Sequence, residues 1–246
     1  MYKIFNITVV CLSLFINNSL LADSKLNEIV VTPSLRETTL FDSLSSIEII
    51  TKEEIQALGY SSVNDILSHS SSINIGSNGG HGQTKSIFLR GTESNHTKVL
   101  INGVALNPGT LGVASIQHIS VDMIDRIEIS KGSMSTLFGR DTIGGVINII
   151  TSKNSNSNIV IGTGRDETNK VGMNKSISYG LHKLSINYMK INTDGYKTKT
   201  SSTKNHGYEN QNINIDYEYN YDNNNIELNL YQSDGNTEYD GSGSNL

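Results

Sequence analysis

The apolar residues of this chain follow two different spacings, and the change falls near Lys153. Beyond it they recur with period two. Val171, Met173, Ile177 and Tyr179 share one face of a first segment, and Leu184, Ile186 and Tyr188 share one face of the next. The run INIDYEYNY alternates Ile213, Ile215, Tyr217, Tyr219 and Tyr221 with Asn214, Asp216, Glu218 and Asn220, and IELNL repeats the device with Ile226, Leu228 and Leu230. Alternation sends successive side chains to opposite faces of a β-strand, so each segment predicts a strand with one apolar and one polar face.

Two architectures satisfy that pattern. In a soluble sandwich the apolar face covers a core; in an outer-membrane barrel it meets lipid and the polar face meets a wet lumen. The connections discriminate. YGLHK and YDNNN are tight, whereas TGRDETNK, NTDGYKTKTSSTKNHGYEN and QSDGNTEYDGSGSNL are longer, the short-at-one-rim, long-at-the-other arrangement of outer-membrane barrels. Nine of the eleven tyrosines lie from Tyr179 onward, as interfacial aromatic belts need.

Before Lys153 short strands alternate with short capped helices. SIEIIT predicts a strand, and in TKEEIQALG a capping box of Thr51 and Glu54 opens a helix that Gly59 stops. Ser62 and Asp65 repeat the cap in SSVNDILSHSSSIN. SIFLRG and KVLINGV read as strands with a tight turn at Asn102-Gly103, and SVDMIDRIEIS as a capped half-turn leading into a strand. In DRIEISKGSMSTLFGRDTIGGVINIITSK, strand, glycine, short helix, glycine and strand follow one another, with Gly132, Gly139, Gly144 and Gly145 at the sharp bends. The fold class expected is a small α+β domain followed by antiparallel barrel strands.

The first residues, MYKIFNITVVCLSLFINNSLLADS, have the layout of a secretory signal peptide: an early lysine, an apolar run from Ile4 to Phe15, and Ala22 ahead of polar sequence. Residues 1–22 are therefore expected to be a signal and 23–39 an exported leader. The one cysteine, Cys11, falls inside the signal, so disulfides have no part in the mature fold. In the leader, Ile29-Val30-Val31-Thr32 is a short β-prone core stopped by Pro33. It suits an extended segment that another protein takes up as an added strand, or else an edge strand of the following domain.

The formal net charge of −5, with no basic cluster, excludes the electrostatic footprint of a nucleic-acid binder. The six histidines have no metal-ligand spacing, and GTGRDE lacks the third glycine and the helix of a dinucleotide fingerprint, so neither catalysis nor a bound cofactor is expected.

SIFLRGTESNHTKVLINGVALN followed by DRIEISKGSMSTLFGRDTIGGVINIITSK resembles the plug domain of TonB-dependent outer-membrane receptors, and NEIVVTPS is similar to the TonB box of that family. Within the family VVTPS, SIFLRGT, SNHTKVLINGV and FGRDTIGGVINIIT look most like the cobalamin receptors. The resemblance implies a plug over residues 40–153, a partial transmembrane β-barrel over 154–246, and residence in the outer membrane. It implies TonB, outer-membrane lipid and a corrinoid or iron-chelate ligand as partners. Asn27, Glu28, Ile29, Val30, Val31, Thr32 and Pro33 would bind TonB. Arg90 and Lys131 would face acidic residues of the barrel wall, although Lys131 stands where the family more often has arginine and makes a looser lock.

Two further sets are expected on the outer side. Ser94, Asn95 and His96, with Asn107 and Thr110, are polar loop tips suited to a large polar ligand. Asp194, Asp234 and Asp240, each followed by glycine, are candidate calcium ligands, which hard cations recruit from loop carboxylates; Asp-Gly is also an ordinary turn dipeptide.

A plugged barrel of this kind needs about 22 strands, and the residues after Lys153 make about five. The chain is thus expected to be the N-terminal part of a receptor. The rival reading is a secreted plug-like binding module that transports nothing.

Overall fold

The computed structural model describes residues 29–30, 38–39, 46–153, 157–197, 200, 202–222 and 224–239. The expected signal and most of the leader lie outside them. So do Asn27, Glu28, Val31, Thr32 and Pro33 of the TonB-box reading, and Asp240 of the calcium reading.

Two short strands, β1 (Ile29–Val30) and β2 (Thr38–Thr39), pair antiparallel as a separate ribbon. The following unit opens with β3 (Ser46–Thr51), α1 (Lys52–Leu58) and α2 (Val63–His69). The α1 capping box forms as the sequence predicts: Thr51 Oγ1 accepts from the Glu54 amide and Glu54 returns the bond to the Thr51 amide, with Gly59 left-handed at the far end. A hairpin comes next, β4 (Ile73–Ser77), absent from the sequence reading, and β5 (Lys85–Leu89), the expected SIFLRG strand, joined by a glycine-rich loop. Then follow β6 (Thr97–Ile101), β7 (Val104–Ala105), β8 (Ile124–Lys131), α3 (Ser135–Phe138) and β9 (Gly145–Thr151).

These strands form a sheet in the order β3-β8-β9-β6-β7, parallel only between β6 and β9. Ile127, Ile129, Ile147 and Ile149 from the two central strands are fully buried, and Ile66 and Leu67 of α2 close over them. The paired glycines before β9 answer to a close approach. A Cβ on Gly144 would stand 2.3 Å from Thr92 Oγ1, and one on Gly145, whose φ is +147°, 2.2 Å from the Ser130 carbonyl. Asn102 and Gly103 both have positive φ, as the tight β6–β7 turn requires.

Beyond residue 157 lie β10 (Asn158–Thr163), β11 (Asn169–Tyr179), β12 (His182–Tyr196), β13 (His206–Tyr221) and β14 (Asn224–Thr237), each antiparallel to the next. The array does not close; β10 and β14 are its outer strands. β12, β13 and β14 run further than periodicity indicated, so Asp194-Gly195 and Asp234-Gly235 sit in strands and not in loops. Beyond the alternating runs, polar cross-strand partners such as Asn192 with Glu209 and Gln211 with Asp234 continue the ladder without any apolar signal.

The array is inverted relative to a soluble sheet. Asn174, Ser185, Asn187, Asn212, Asn214 and Asp216 are buried against the α+β unit, while Ile161, Tyr179 and Leu228 are 78%, 84% and 63% exposed. Cross-strand register gathers the outward residues into rows: Ile177 with Leu184, Ile186 with Ile215, Tyr217 with Leu228, and Tyr219 with Ile226. Tyr179, Tyr219 and Tyr221 mark the tight-turn rim.

That inversion predicts a sign. Leu230→Arg, on the outward face, is expected to destabilise the full-length protein in lipid vesicles by about 2–4 kcal/mol, whereas Asn225→Arg, on the inner face, costs less. Urea titration of the vesicle-embedded protein measures both.

Candidate functional site

The region able to do something is the seam between the α+β unit and the strand wall. At its long-loop end the glycine-rich loop, residues 78–84, reaches the tips of β12, β13 and β14. The loop is braced from within by Lys85, whose ammonium donates to Ser77 Oγ and, at 3.0 Å, to the Gly79 carbonyl. Burial pushes the Lys85 pKa below its ordinary value, and the Asp65 carboxylate partly opposes this. From the wall, Thr237 Oγ1 donates to the Gly82 carbonyl at 3.2 Å, while Gln83 Nε2 donates to the Glu238 carbonyl at 3.0 Å.

The turn Ile116–His118 docks beside that loop. Asn210 Nδ2 donates to the His118 carbonyl at 2.7 Å, Tyr208 donates its hydroxyl to the Gln117 carbonyl at 3.2 Å, and His118 Nδ1 lies 3.1 Å from the same hydroxyl. Burial lowers the His118 pKa. Further along the seam, Lys170 of β11 pairs with Asp122 at 2.8 Å, Asn187 donates to the Ser152 carbonyl at 3.0 Å, and Asn214 donates to Thr151 Oγ1 at 3.0 Å.

At the other end Lys153, just past β9, bridges Glu218, at 3.1 Å, and Glu227. These two glutamates are direct cross-strand neighbours on β13 and β14, an arrangement that repels unless a cation lies between them. Burial works against the charge on Lys153, but its hydrogen bonds and attraction to Glu227 and Glu218 outweigh that and raise its pKa.

Between unit and wall lies a cavity of about 580 Å³, lined by the glycine-rich loop, Asp65, Lys85, Asp122, Lys170, Tyr196 and Tyr208 among others. Its lining is mixed, with charged side chains of both signs beside Ile75, Ile119 and Met189, so it offers both polar and apolar contacts.

The residues singled out in the sequence fall elsewhere. Ser94 Oγ accepts from the Ile87 amide at 2.9 Å, and the His96 carbonyl accepts from the Gly144 amide at 3.0 Å. Asn95 packs against Gly112, where a Cβ would meet its own at 3.1 Å. Asn107 accepts from the Val99 amide at 2.7 Å and donates to the Thr97 and Gly112 carbonyls, so it braces its own loop; Thr110 is exposed. None of these five lines the cavity.

The lock expected between Lys131 and the wall does not form with any of the five described wall strands. Lys131 pairs at 2.7 Å with Glu48 on the adjacent β3, because antiparallel register brings the ends of β3 and β8 together. Arg90 is exposed and makes no ion pair among the described residues. The charges that do join unit to wall are Asp122 with Lys170 and Lys153 with Glu218 and Glu227. Asp194 and Asp234 are both exposed, and no three His, Cys, Asp or Glu side chains converge to hold a metal ion among the described residues.

Sequence reasoning missed the glycine-rich loop, whose signal was available in SNGGHGQ between two apolar runs. Lys153 and its glutamates carried no such signal, since their proximity depends on register.

Two outcomes follow from this geometry. Lys153→Met leaves Glu218 and Glu227 facing each other, and is expected to cost roughly 1–3 kcal/mol in urea melts; Glu227→Gln in the same chain recovers part of the loss. His118 is held below its unfolded pKa of 6.5, so the unfolded chain takes up a proton that the folded one resists. Stability is then full above that value and falls as pH drops through 6.5 towards the folded pKa. His118→Gln should flatten that acid limb of the melting profile.

The TonB-dependent Receptor Plug Domain family matches residues 39–146. The vitamin B12 transporter BtuB of Photobacterium profundum is 35% identical over 178 residues, covering 71% of this chain and 29% of that protein. BtuB of Vibrio vulnificus (strain YJ016) is 38% identical over 151 residues, 60% of this chain and 25% of the relative. The chain therefore spans less than a third of the length of the curated relatives it matches. Among solved structures, the pyoverdine outer-membrane receptor FpvA of Pseudomonas aeruginosa PAO1 superposes with a TM-score of 0.71 at 16% identity, over 85% of this chain and 30% of that one. The siderophore receptor PirA of Acinetobacter baumannii gives 0.62 at 20% identity, over 79% and 32%. These likenesses carry the fold, an α+β plug clasped by antiparallel barrel strands with their polar face inward. The chain belongs to the TonB-dependent receptors, with its plug domain at residues 39–146.

Proposed function

We propose that this chain is the plug and first wall strands of an outer-membrane receptor that takes up a corrinoid with energy supplied through TonB. The observation that carries the reading is the inverted wall. An array with buried asparagines and outward isoleucines, leucines and tyrosines has a lipid surface on one side and a hydrated plug on the other. The corrinoid assignment is supported by the relatives at 35% and 38% identity, which are vitamin B12 transporters. The siderophore receptors among the solved structures share the fold at 20% identity or less, which favours an iron chelate as the second reading.

In this reading the ligand arrives at the long-loop rim and meets the glycine-rich loop and the cavity behind it. The segment from Asn27 to Pro33 is the strand offered to TonB on the other side. Ile29 and Val30 already lie extended and paired with Thr38 and Thr39, so TonB would exchange one edge partner for another. Calcium at Asp194, Asp234 and Asp240 belongs to this proposal, with the first two carboxylates offered from exposed strand ends. No catalytic step is proposed.

Deleting Asn27 to Ser34 in the full-length protein is expected to abolish accumulation of radiolabelled cyanocobalamin in cells while surface binding persists. Loss of surface binding as well would sink the TonB assignment. Binding of a ferric siderophore in place of cyanocobalamin would move the substrate to the second reading.

A further inference from the structure

One wall side chain, Tyr208 of β13, holds two plug segments that are remote in sequence. Its ring is the seat of the glycine-rich loop: a Cβ added to Gly82 would lie 2.3 Å from Tyr208 Cδ2 and 2.5 Å from Cε2, with Thr237 Oγ1 beside them at 2.4 Å, so the loop backbone rests directly against the ring. Gly82 has φ +69°, the left-handed region, which lets the loop turn onto the ring. The Tyr208 hydroxyl meanwhile donates to the Gln117 carbonyl and meets His118 Nδ1, with the two rings stacked at 5.8 Å. The side chain is 6% exposed. Its two ends thus engage two different parts of the plug, and the ring also lines the cavity beside Lys85.

The loop has few other holds. Lys85 braces its base from inside the hairpin, Gly80 rests against the Tyr196 hydroxyl, Thr237 stands beside the ring and donates one hydrogen bond to Gly82, and Gln83 adds another. Removal of those single bonds leaves the ring in place, whereas removal of the ring takes away the broad surface that fixes the loop tip. We propose that Tyr208 is the positioning residue of the glycine-rich loop, setting where it stands between cavity and long-loop rim. Calling that place a ligand entrance rests on the proposed receptor function; the positioning itself does not, and its test needs no ligand.

The test places a nitroxide label at His81, which is exposed, as His81→Cys with Cys11→Ser, in the full-length protein in outer-membrane vesicles. The parent is expected to show an immobilised electron paramagnetic resonance component. Tyr208→Phe keeps the ring and should keep that component, while Tyr208→Ala should lose it. A second label at Ser133→Cys, on the far side of the plug sequence, reports whether the plug remains folded and should not change in any variant. If Tyr208→Ala does not insert, Tyr208→Leu carries the decision, since it keeps an apolar side chain at the site but drops the flat ring and should mobilise the His81 label. Retention of the immobilised component in Tyr208→Ala or Tyr208→Leu, with the Ser133 label unchanged, overturns the proposal. Equal loss in Tyr208→Phe and Tyr208→Ala overturns it too, because hydrogen bonds and not the ring would then hold the loop.

Discussion

Everything in this molecule depends on which side of the strand wall is wet. A sheet that buries Asn212 and Asn214 while exposing Ile161 and Leu228 would be unstable in water, where exposed apolar surface costs about 25 cal/mol per Å². Surrounded by hydrocarbon, the outward residues lose nothing, and the demand shifts to the backbone, whose polar groups must be paired within the array. The antiparallel ladder from β10 to β14 meets that demand between its strands and leaves the outer edges of β10 and β14 to be paired from outside it. The plug then fills the wet side. It has its own isoleucine core, and it needs from the wall a polar surface and not a greasy one.

The seam reflects that division of labour. Several of its bonds come from neutral amides: Asn187, Asn210 and Asn214 reach across to plug backbone carbonyls and to Thr151. Charge appears at a few fixed places, with Asp122 against Lys170 and with Lys153 between Glu218 and Glu227. Such pairs fix position more than they add stability, because each ion sheds water to form them. Neutral bonds spread along a hydrated seam can be broken one at a time.

The sequence carried the broad design well. Period-two alternation from Val171 to Leu230 identified the strands and the face that would point outward, and the caps at Thr51 and Ser62 located both longer helices. What it could not carry was anything set by register. Lys131 has the look of a wall contact until pairing of β8 with β3 puts Glu48 beside it. Asn107 has the look of a ligand contact, yet its amide is consumed by Val99, Thr97 and Gly112. A polar side chain on a loop reads the same in sequence whether it faces a ligand or ties down its own backbone. The strand ends at Asp194 and Asp234 were invisible for a related reason, since polar cross-strand pairs extend a ladder without any hydrophobic signature.

The amides of the wall's inner face have one more consequence. Asn187 and Asn210 bind the carbonyls of Ser152 and His118, groups that every residue possesses. Mutation of plug side chains at such points leaves the bond available, so the two halves of the seam can drift apart in sequence without losing their fit. At those two points the wall is a generic socket, indifferent to which plug side chain it faces, whereas Asn214 against Thr151, Asp122 against Lys170 and Lys153 between its glutamates each require a matched pair of side chains.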